Sequence, residues 1–334
     1  MDKRRITSVD VARRAGVSQS AVSRAFTPGA SVSPRMAEKV RRAAEELGWR
    51  PNALARTLIT GRSRIVGLVV YYLDNPFYPD AVEKLSVALQ AEGYHVLLFT
   101  ASRTLGDVEP VLQRILDYQV DAIVMVSISL DSTLAERCAA LDIPVVLFNR
   151  DQPGADLLAV TTDNVAGGRL AAEALLAGDP RRIAHLAGFE GASTQIDRET
   201  GFRAALAEAG RALHAREVGD YRYDVAREAA RRLLLRPDPP DALFCGDDLM
   251  AFAALDVARA EAGLRVPGDL AVVGYDDVPQ AAWPSFDLTT VRQPVPRMVS
   301  EGVAMLLAAI EAPGTPPEKR RLPPALVTRG TTRR

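Results

Sequence analysis

The sequence predicts an α/β protein with a small N-terminal all-α headpiece followed by two doubly wound parallel-sheet subdomains. Three observations carry this. Residues 7–25 read as two short helices about a tight turn. From Ile65 onward, short apolar runs rich in β-formers alternate with helical segments. Charge also divides where the pattern changes. Residues 1–64 hold 14 Lys or Arg and 5 Asp or Glu, a net of +9, whereas the remainder holds 27 basic and 37 acidic residues, a net of −10. The overall net charge of −1 conceals that asymmetry. A basic headpiece on an acidic body is the electrostatic footprint of a nucleic-acid binder.

In chain order, Thr7 caps the first helix, with Asp10 near its positive end and Val11 and Ala15 on one face. Gly16 breaks the helix, since glycine adopts the left-handed conformation without a Cβ penalty. Ser18 caps the second helix, and Val22 and Phe26 supply its apolar side. Gln19, Ser20, Ser23 and Arg24 are left on its outer turns. Short polar side chains on a helix of small residues suit a head that reads the major groove. Ser33-Pro34 starts a third helix, cap then proline, with Met36, Val40, Ala43, Ala44 and Leu47 as its apolar stripe. Residues 49–61 hold a further helix too short to be stable alone.

The ordered series Val9-Asp-Val-Ala12, Gly16-Val-Ser18, Ala21-Val-Ser-Arg24, Val32-Ser33, Leu47-Gly48, Arg50-Pro-Asn52 and Leu54-Ala55 with Leu58 resembles the lactose-repressor (LacI/GalR-type) family of bacterial transcription regulators. The resemblance implies that Gln19 and Ser20 meet base edges and Arg24 a base or phosphate. Thr7, Ser18, Ala21 and Ser23 complete that DNA-facing set. It implies too that Asn52–Leu58 folds as a hinge helix on DNA. Leu58 is then the apolar wedge in the minor groove, and Ala55 lets paired hinges approach; wedge insertion unstacks a base step at about a few kcal/mol, offset by contacts that bending permits.

In the body, the runs 65–70, 95–99, 122–126, 145–148, 159–161, 183–186, 242–245 and 270–273 read as strands buried on both faces. Segments 78–92, 165–176, 198–208 and 248–262 read as helices between them. Such folds bind ligands at the carboxyl ends of the strands, here in a cleft between two facing subdomains. The residues after those strands are polar: Asp74 through Phe77, Asn149 and Arg150, 193–198, Tyr221 and Tyr223, Asp247 and Asp248, Asp276 and Asp277. Carboxylates and amides accept from hydroxyls, an Arg fork donates, and aromatic faces meet C–H surface, so the set fits a hydroxyl-rich ligand. Asp163, Asn164 and Asp248 have a simpler reading as helix caps.

The body also resembles the lactose-repressor family, whose core is similar to periplasmic sugar-binding proteins. The matching stretches are Asn75-Pro-Phe77, Thr162-Asp-Asn164 with Gly167, 183–188, Arg198 with Gly201-Phe202, 247–251, 263–267, 272–277, 289–293 and 326–330. The resemblance implies a periplasmic-binding-protein-like core with Arg198 and Asp276 in the effector cleft. Asp247 stands where the family usually carries Asn; a carboxylate cannot donate, so it favours a ligand that presents donors and opposes an anion, whereas Arg150 and Arg198 suit a carboxylate or phosphate, which leaves the ligand's charge open. The expected effector set is Asp74, Phe77, Asn149, Arg150, Arg198, Tyr221, Asp247 and Asp276. Expected domains are 1–50 for the headpiece, 51–64 for hinge and linker, 65–162 with 292–321 for one core subdomain, and 163–291 with 322–334 for the other.

The expected function is a sequence-specific repressor, a homodimer on palindromic operator DNA, controlled by a small ligand, a sugar or sugar derivative. Family members that sense purines or a phosphoprotein share the same frame, and the fold does not name the ligand. No cofactor and no metal is expected: His95, His185 and His214 lack ligand spacing. Cys138 and Cys245 have no pairing motif and fit a reducing cytoplasm. The start reads as no signal peptide, and no apolar run nears the ~18 residues of a membrane span. Two rival readings fit less well. An enzyme lacks a glycine-rich phosphate loop after the first strand, where Asp74-Asn-Pro-Phe77 stands, and a nucleophile elbow. A transport receptor would have no use for the basic headpiece.

Overall fold

The computed structural model describes residues 6–26, 30–50, 62–71, 73–100, 109–127, 143–152, 154–314 and 316–333. Asn52, Ala55, Leu58 and Cys138 lie outside the described residues. The chain divides into a unit at residues 1–63 and a unit at residues 64–334.

The first unit holds α1 (Ser8–Ala15), α2 (Gln19–Ala25) and α3 (Pro34–Glu46). The Asp10 carboxylate reaches back to accept from the Thr7 backbone N–H at 2.9 Å and from its hydroxyl at 2.8 Å, closing the first turn of α1. Gly16 takes φ 60° and ends α1 in a left-handed turn, with the Val17 N–H bonded to Ala12 O. The Ser18 and Ser33 hydroxyls accept from Ala21 N and Met36 N and start α2 and α3. Val11, Ala15, Val22, Ala25, Val40, Ala43 and Ala44 pack together, flanked by Phe26 edge-on to Trp49. One expected core position is corrected. Met36 is exposed, and Ala37, beside it in the first turn of α3, is buried in its place and packs with Val40.

The second unit is built on two six-stranded sheets. The first has the order β11-β5-β4-β3-β1-β2, with β1 Ile65–Val70, β2 His95–Thr100, β3 Ala122–Val126, β4 Val145–Phe148, β5 Leu158–Thr162 and β11 Lys319–Leu322. All its neighbours are parallel. The second has the order β12-β10-β9-β8-β6-β7, with β6 Ile183–Ala187, β7 Leu213–Val218, β8 Ala242–Cys245, β9 Ala271–Asp276, β10 Thr289–Arg292 and β12 Ala325–Val327. Here β12 runs antiparallel to β10 at the edge, and the rest is parallel.

Strands β3, β4, β5, β6, β8 and β9 are buried throughout, the result expected of apolar runs covered by helices on both faces. The covering helices are α4 (Phe77–Ala91), α5 (Glu109–Asp117), α6 (Asn164–Leu176), α7 (Ser193–Glu208), α8 (Tyr223–Leu234), α9 (Asp248–Asp256) and α10 (Val295–Glu311). Helix α7 starts five residues earlier than the sequence suggests. Helix α9 gives way to a π-helical turn over Val257–Glu261. The chain passes between the sheets from β5 to α6, from β10 to α10 and from β11 to β12. Each sheet is therefore completed by a strand from late in the sequence. Among the described residues no helix is long and apolar enough to cross a membrane.

Candidate functional site

Helix α2 presents a polar face. Gln19, Ser20, Ser23 and Arg24 are exposed, while Ala21 is 3% exposed. Ala21, placed in the DNA-facing set by the resemblance, is buried and adds no exposed side chain to that face. Gln19 Nε2 donates to Ser8 Oγ at 3.0 Å, and Ser18 and Ser20 share a hydroxyl–hydroxyl bond at 2.9 Å. Those bonds fix where the side chains project before any partner arrives.

The second site lies between the two sheets. Ten non-glycine residues among those described have positive φ, and six stand at or just beyond strand ends at this cleft: Ser127 (58°), Asn149 (73°), Asp220 (55°), Tyr221 (56°), Asp276 (118°) and Asp277 (57°). Such conformations cost energy and persist where the surroundings enforce them, which marks the strand ends as a functional candidate.

At the centre is Arg198, on the first turns of α7 and 2% exposed. Its Nε donates to Asn164 Oδ1 at 3.0 Å and its Nη1 to the Gly246 carbonyl. Its Nη2 lies 3.5 Å from Asp276 Oδ1, and the guanidinium sits 3.6 Å over the Tyr275 ring. Burial alone would lower its pKa, but the surrounding Tyr221 and Asp276 outweigh that, so the group stays charged. Asp276 is held in turn by Gln293 Nε2 at 2.7 Å, and Gln293 Oε1 accepts from Thr162 at 2.6 Å. Burial pushes Asp276 up to about 7 against the pull of Arg198. Asp247 is pushed up to about 6 by burial, against a hydrogen bond from Met250 N–H and the charge of Arg198.

From the opposite subdomain come Asn75, Phe77, Asn149 and Arg150, each less than 5% exposed. Asn149 Nδ2 donates to Ser127 Oγ at 3.0 Å, and its Oδ1 is buried with no hydrogen-bond partner. The Arg150 guanidinium lies 5.8 Å from the Tyr221 ring centre, within cation–π range. Asp151 N donates to Ser193 Oγ at 3.1 Å, and Asn75 Nδ2 to Asp247 Oδ2 at 2.8 Å, so the two halves touch across the cleft. A cavity of about 260 Å³ opens beside Asp276, walled by Phe77, Val278 and Val295, with Asp80, Lys84 and Arg292 also lining it. Carboxylate, amide, guanidinium and aromatic groups thus converge, and the buried charges nearly cancel. That suits a ligand with hydroxyls and no net charge.

The structure brings Phe77, Asn149, Arg150, Arg198, Tyr221, Asp247 and Asp276 into one cleft. Asp74 stays exposed on the loop before it. Tyr223 is 39% exposed and donates to Asp256, away from the cleft. Two capping assignments are reversed. Asp247, not Asp248, caps α9 through Met250 N at 2.8 Å. Asp248 instead accepts from Val278 N and Thr290 Oγ1, pinning the loop that carries Asp276. Asp163 caps α6 through Ala166 N at 2.9 Å, whereas Asn164 orients Arg198. Asn75, Tyr275 and Gln293 were missing from the expected set. Their roles rest on neighbours far away in sequence; the matching stretches Asn75-Pro-Phe77, 272–277 and 289–293 contain all three positions without giving their roles.

Among the described residues no group of His, Cys, Asp and Glu is arranged to hold a metal. His185 is fully buried, stacked on Phe244 at 4.9 Å, and lowered to about 4 by burial. Burial raises the Cys245 thiol well above its ordinary range, which leaves it inert as a nucleophile.

Against known proteins, the profile described as "Bacterial regulatory proteins, lacI family" matches residues 7–52, and that of a "Periplasmic binding protein-like domain" matches residues 172–332. The HTH-type transcriptional regulator CelR of Thermobifida fusca is 36% identical over 98% of this chain and 99% of its own. A CelR–cellobiose complex superposes with a TM-score of 0.74 at 35% identity, covering 98% of this chain and 100% of that one. A lac repressor dimer bound to operator and an anti-inducer superposes with a TM-score of 0.88 at 26% identity, covering 98% and 99%.

Proposed function

The chain belongs to the lacI family of bacterial regulatory proteins, and on that premise we propose that it is a homodimeric repressor whose hold on its operator is set by an uncharged sugar in the cleft around Arg198. The observation that carries this reading is the preassembled Arg198 group. Its guanidinium is buried, aligned by Asn164, Gly246 and Asp276 and seated on Tyr275. A buried fork whose charge is already balanced gives hydroxyls directional bonds without demanding an anion. Phe77 and Tyr221 offer aromatic faces to the C–H surface of a sugar ring. Asn149, with an unused buried oxygen, accepts from a hydroxyl.

In this reading the core subdomains are 65–162 with 292–321 and 163–291 with 322–334. Gln19, Ser20 and Arg24 read the major groove. Leu58 wedges the minor groove at the operator centre, as the family resemblance implies. Acting on chromosomal DNA, the protein works in the cytoplasm. Thermal unfolding against a panel of sugars tests the reading, with cellobiose first because a relative binds it. At a hundredfold excess over its dissociation constant a ligand stabilises the folded state by about 2.7 kcal/mol. A sugar that raises the midpoint supports the assignment; stabilisation by sugar phosphates or nucleotides alone contradicts it.

A further inference from the structure

Asp247 stands where the family resemblance leads one to expect Asn, and the structure supplies a reason that lies within the protein. Its two carboxylate oxygens are both taken by donors: Oδ1 by the Met250 N–H at 2.8 Å and Oδ2 by Asn75 Nδ2 at 2.8 Å. Asn75 has no freedom to turn its amide over. Its Oδ1 accepts from the Phe77 N–H at 3.0 Å at the start of α4, so its NH₂ must face Asp247. Asn75 is 3% exposed and Asp247 1%, and 172 residues of chain separate them. One belongs to the first sheet's subdomain and the other to the second. The carboxylate lies between the N-termini of α4 and α9, where a negative charge is favoured. An amide at position 247 could satisfy Met250 only by aiming its own NH₂ at that of Asn75.

We propose that Asn75 and Asp247 form a complementary tie across the cleft that holds the two core subdomains together before an effector arrives, with Asn75 as the positioning residue that requires aspartate at position 247. Asp247 then serves closure and leaves contact with the effector to the Arg198 group. A cleft held in its binding arrangement loses less affinity to closing than one that spends its time open. That regulatory consequence rests on the effector reading above; the tie itself does not.

The chemistry allows the two side chains to be exchanged. In the double variant Asn75→Asp with Asp247→Asn, the carboxylate at position 75 accepts from the Phe77 N–H and from the amide at position 247. The oxygen of that amide accepts from the Met250 N–H. All three bonds survive with the same net charge. Either single change leaves two NH₂ groups or two carboxylates facing each other. Hydrogen exchange by mass spectrometry on the full chain, without sugar, reads the outcome in segments 73–80 and 246–252. Asn75→Asp and Asp247→Asn should each speed exchange there about tenfold. The double variant should return to within about twofold of the parent. The tie is overturned if Asp247→Asn exchanges like the parent, or if the swap stays as fast as the single variants. Should a single variant fail to fold, a swap that folds and regains protection still supports the tie, and a swap that also fails counts against it. Because no sugar is present, failure of the sugar panel and failure of the tie give separate results.

Discussion

Arg198 shows how much one side chain carries when the protein spends its own polar groups on it. Removing the guanidinium in Arg198→Ala strips Asn164 and Asp276 of a buried partner, and the variant should lose about 2–4 kcal/mol of core stability. Asp276, already pushed up to about 7, would then be held protonated near neutral pH. The same variant should show no sugar-induced rise in unfolding midpoint while its headpiece still binds operator; a normal rise would remove Arg198 from the site. In the headpiece, Gln19 is fixed by Ser8 with its polar end outward. Gln19→Ala should relax preference at one base pair of the operator by about 1–3 kcal/mol in a binding survey of operator variants. Equal loss on every sequence would make it a phosphate contact. His185 carries a pH effect of definite sign. Burial holds it at about 4, below the ~6.5 of unfolded histidine, so the native state binds fewer protons between those values. Its contribution is complete above the unfolded value and is lost progressively as pH falls from that value to the folded one. Between pH 7 and 5 urea unfolding should therefore lose about 2 kcal/mol more in the parent than in His185→Gln.

At the scale of elements, the cleft depends on how closely α6 and α7 approach. A Cβ at Gly168 would come within 1.9 Å of the Arg198 carbonyl oxygen, and one at Gly201 within 1.9 Å of the Val165 oxygen. Backbone cannot yield as a side-chain tip can. Gly168→Ala should cost roughly 3 kcal/mol in urea unfolding and, by moving the start of α7, weaken sugar binding as well. A variant as stable as the parent would show that the helices have room to part. Elements of this kind were unevenly legible. Continuous apolar runs such as Ala122–Val126 and Ala242–Cys245 announced buried strands. Strand β7, Leu213–Val218, is half-buried along its length and carries His214, Arg216 and Glu217 among its apolar residues, and β10 is four residues with two threonines. Neither offers the run that burial on both faces produces. The expected site residues after strands largely converged, because strand ends in this architecture must face the cleft. Asn75, Gln293 and Tyr275 lay in matching stretches but were not singled out, since each acts on a partner supplied by the fold: Asp247, Thr162 with Asp276, and Arg198. Asp247 and Asp248 exchanged roles for a similar reason, since adjacent carboxylates at a helix start look alike until the loop at Val278 is placed.

For the whole molecule, the division of charge is the broadest physical feature, with +9 on residues 1–64 and −10 on the rest. Operator affinity should fall steeply with salt, about a thousandfold or more between about 50 and 200 mM if six or more phosphates are neutralised. A flat salt response would exclude the backbone contacts a basic headpiece is built to make. The acidic core has no comparable attraction to DNA, so its influence must pass through the link between the units and through the dimer. Coupling of that kind is typically about 1–3 kcal/mol. The most direct measurement is fluorescence anisotropy of a labelled operator titrated with parent and Arg198→Ala protein, each with and without the sugar that stabilises the parent. The account predicts that this sugar changes the operator dissociation constant of the parent by about 5–150-fold and leaves that of Arg198→Ala unchanged. Equal operator affinity of the parent with and without the sugar, or an equal shift in both proteins, would contradict control of DNA binding through the Arg198 cleft.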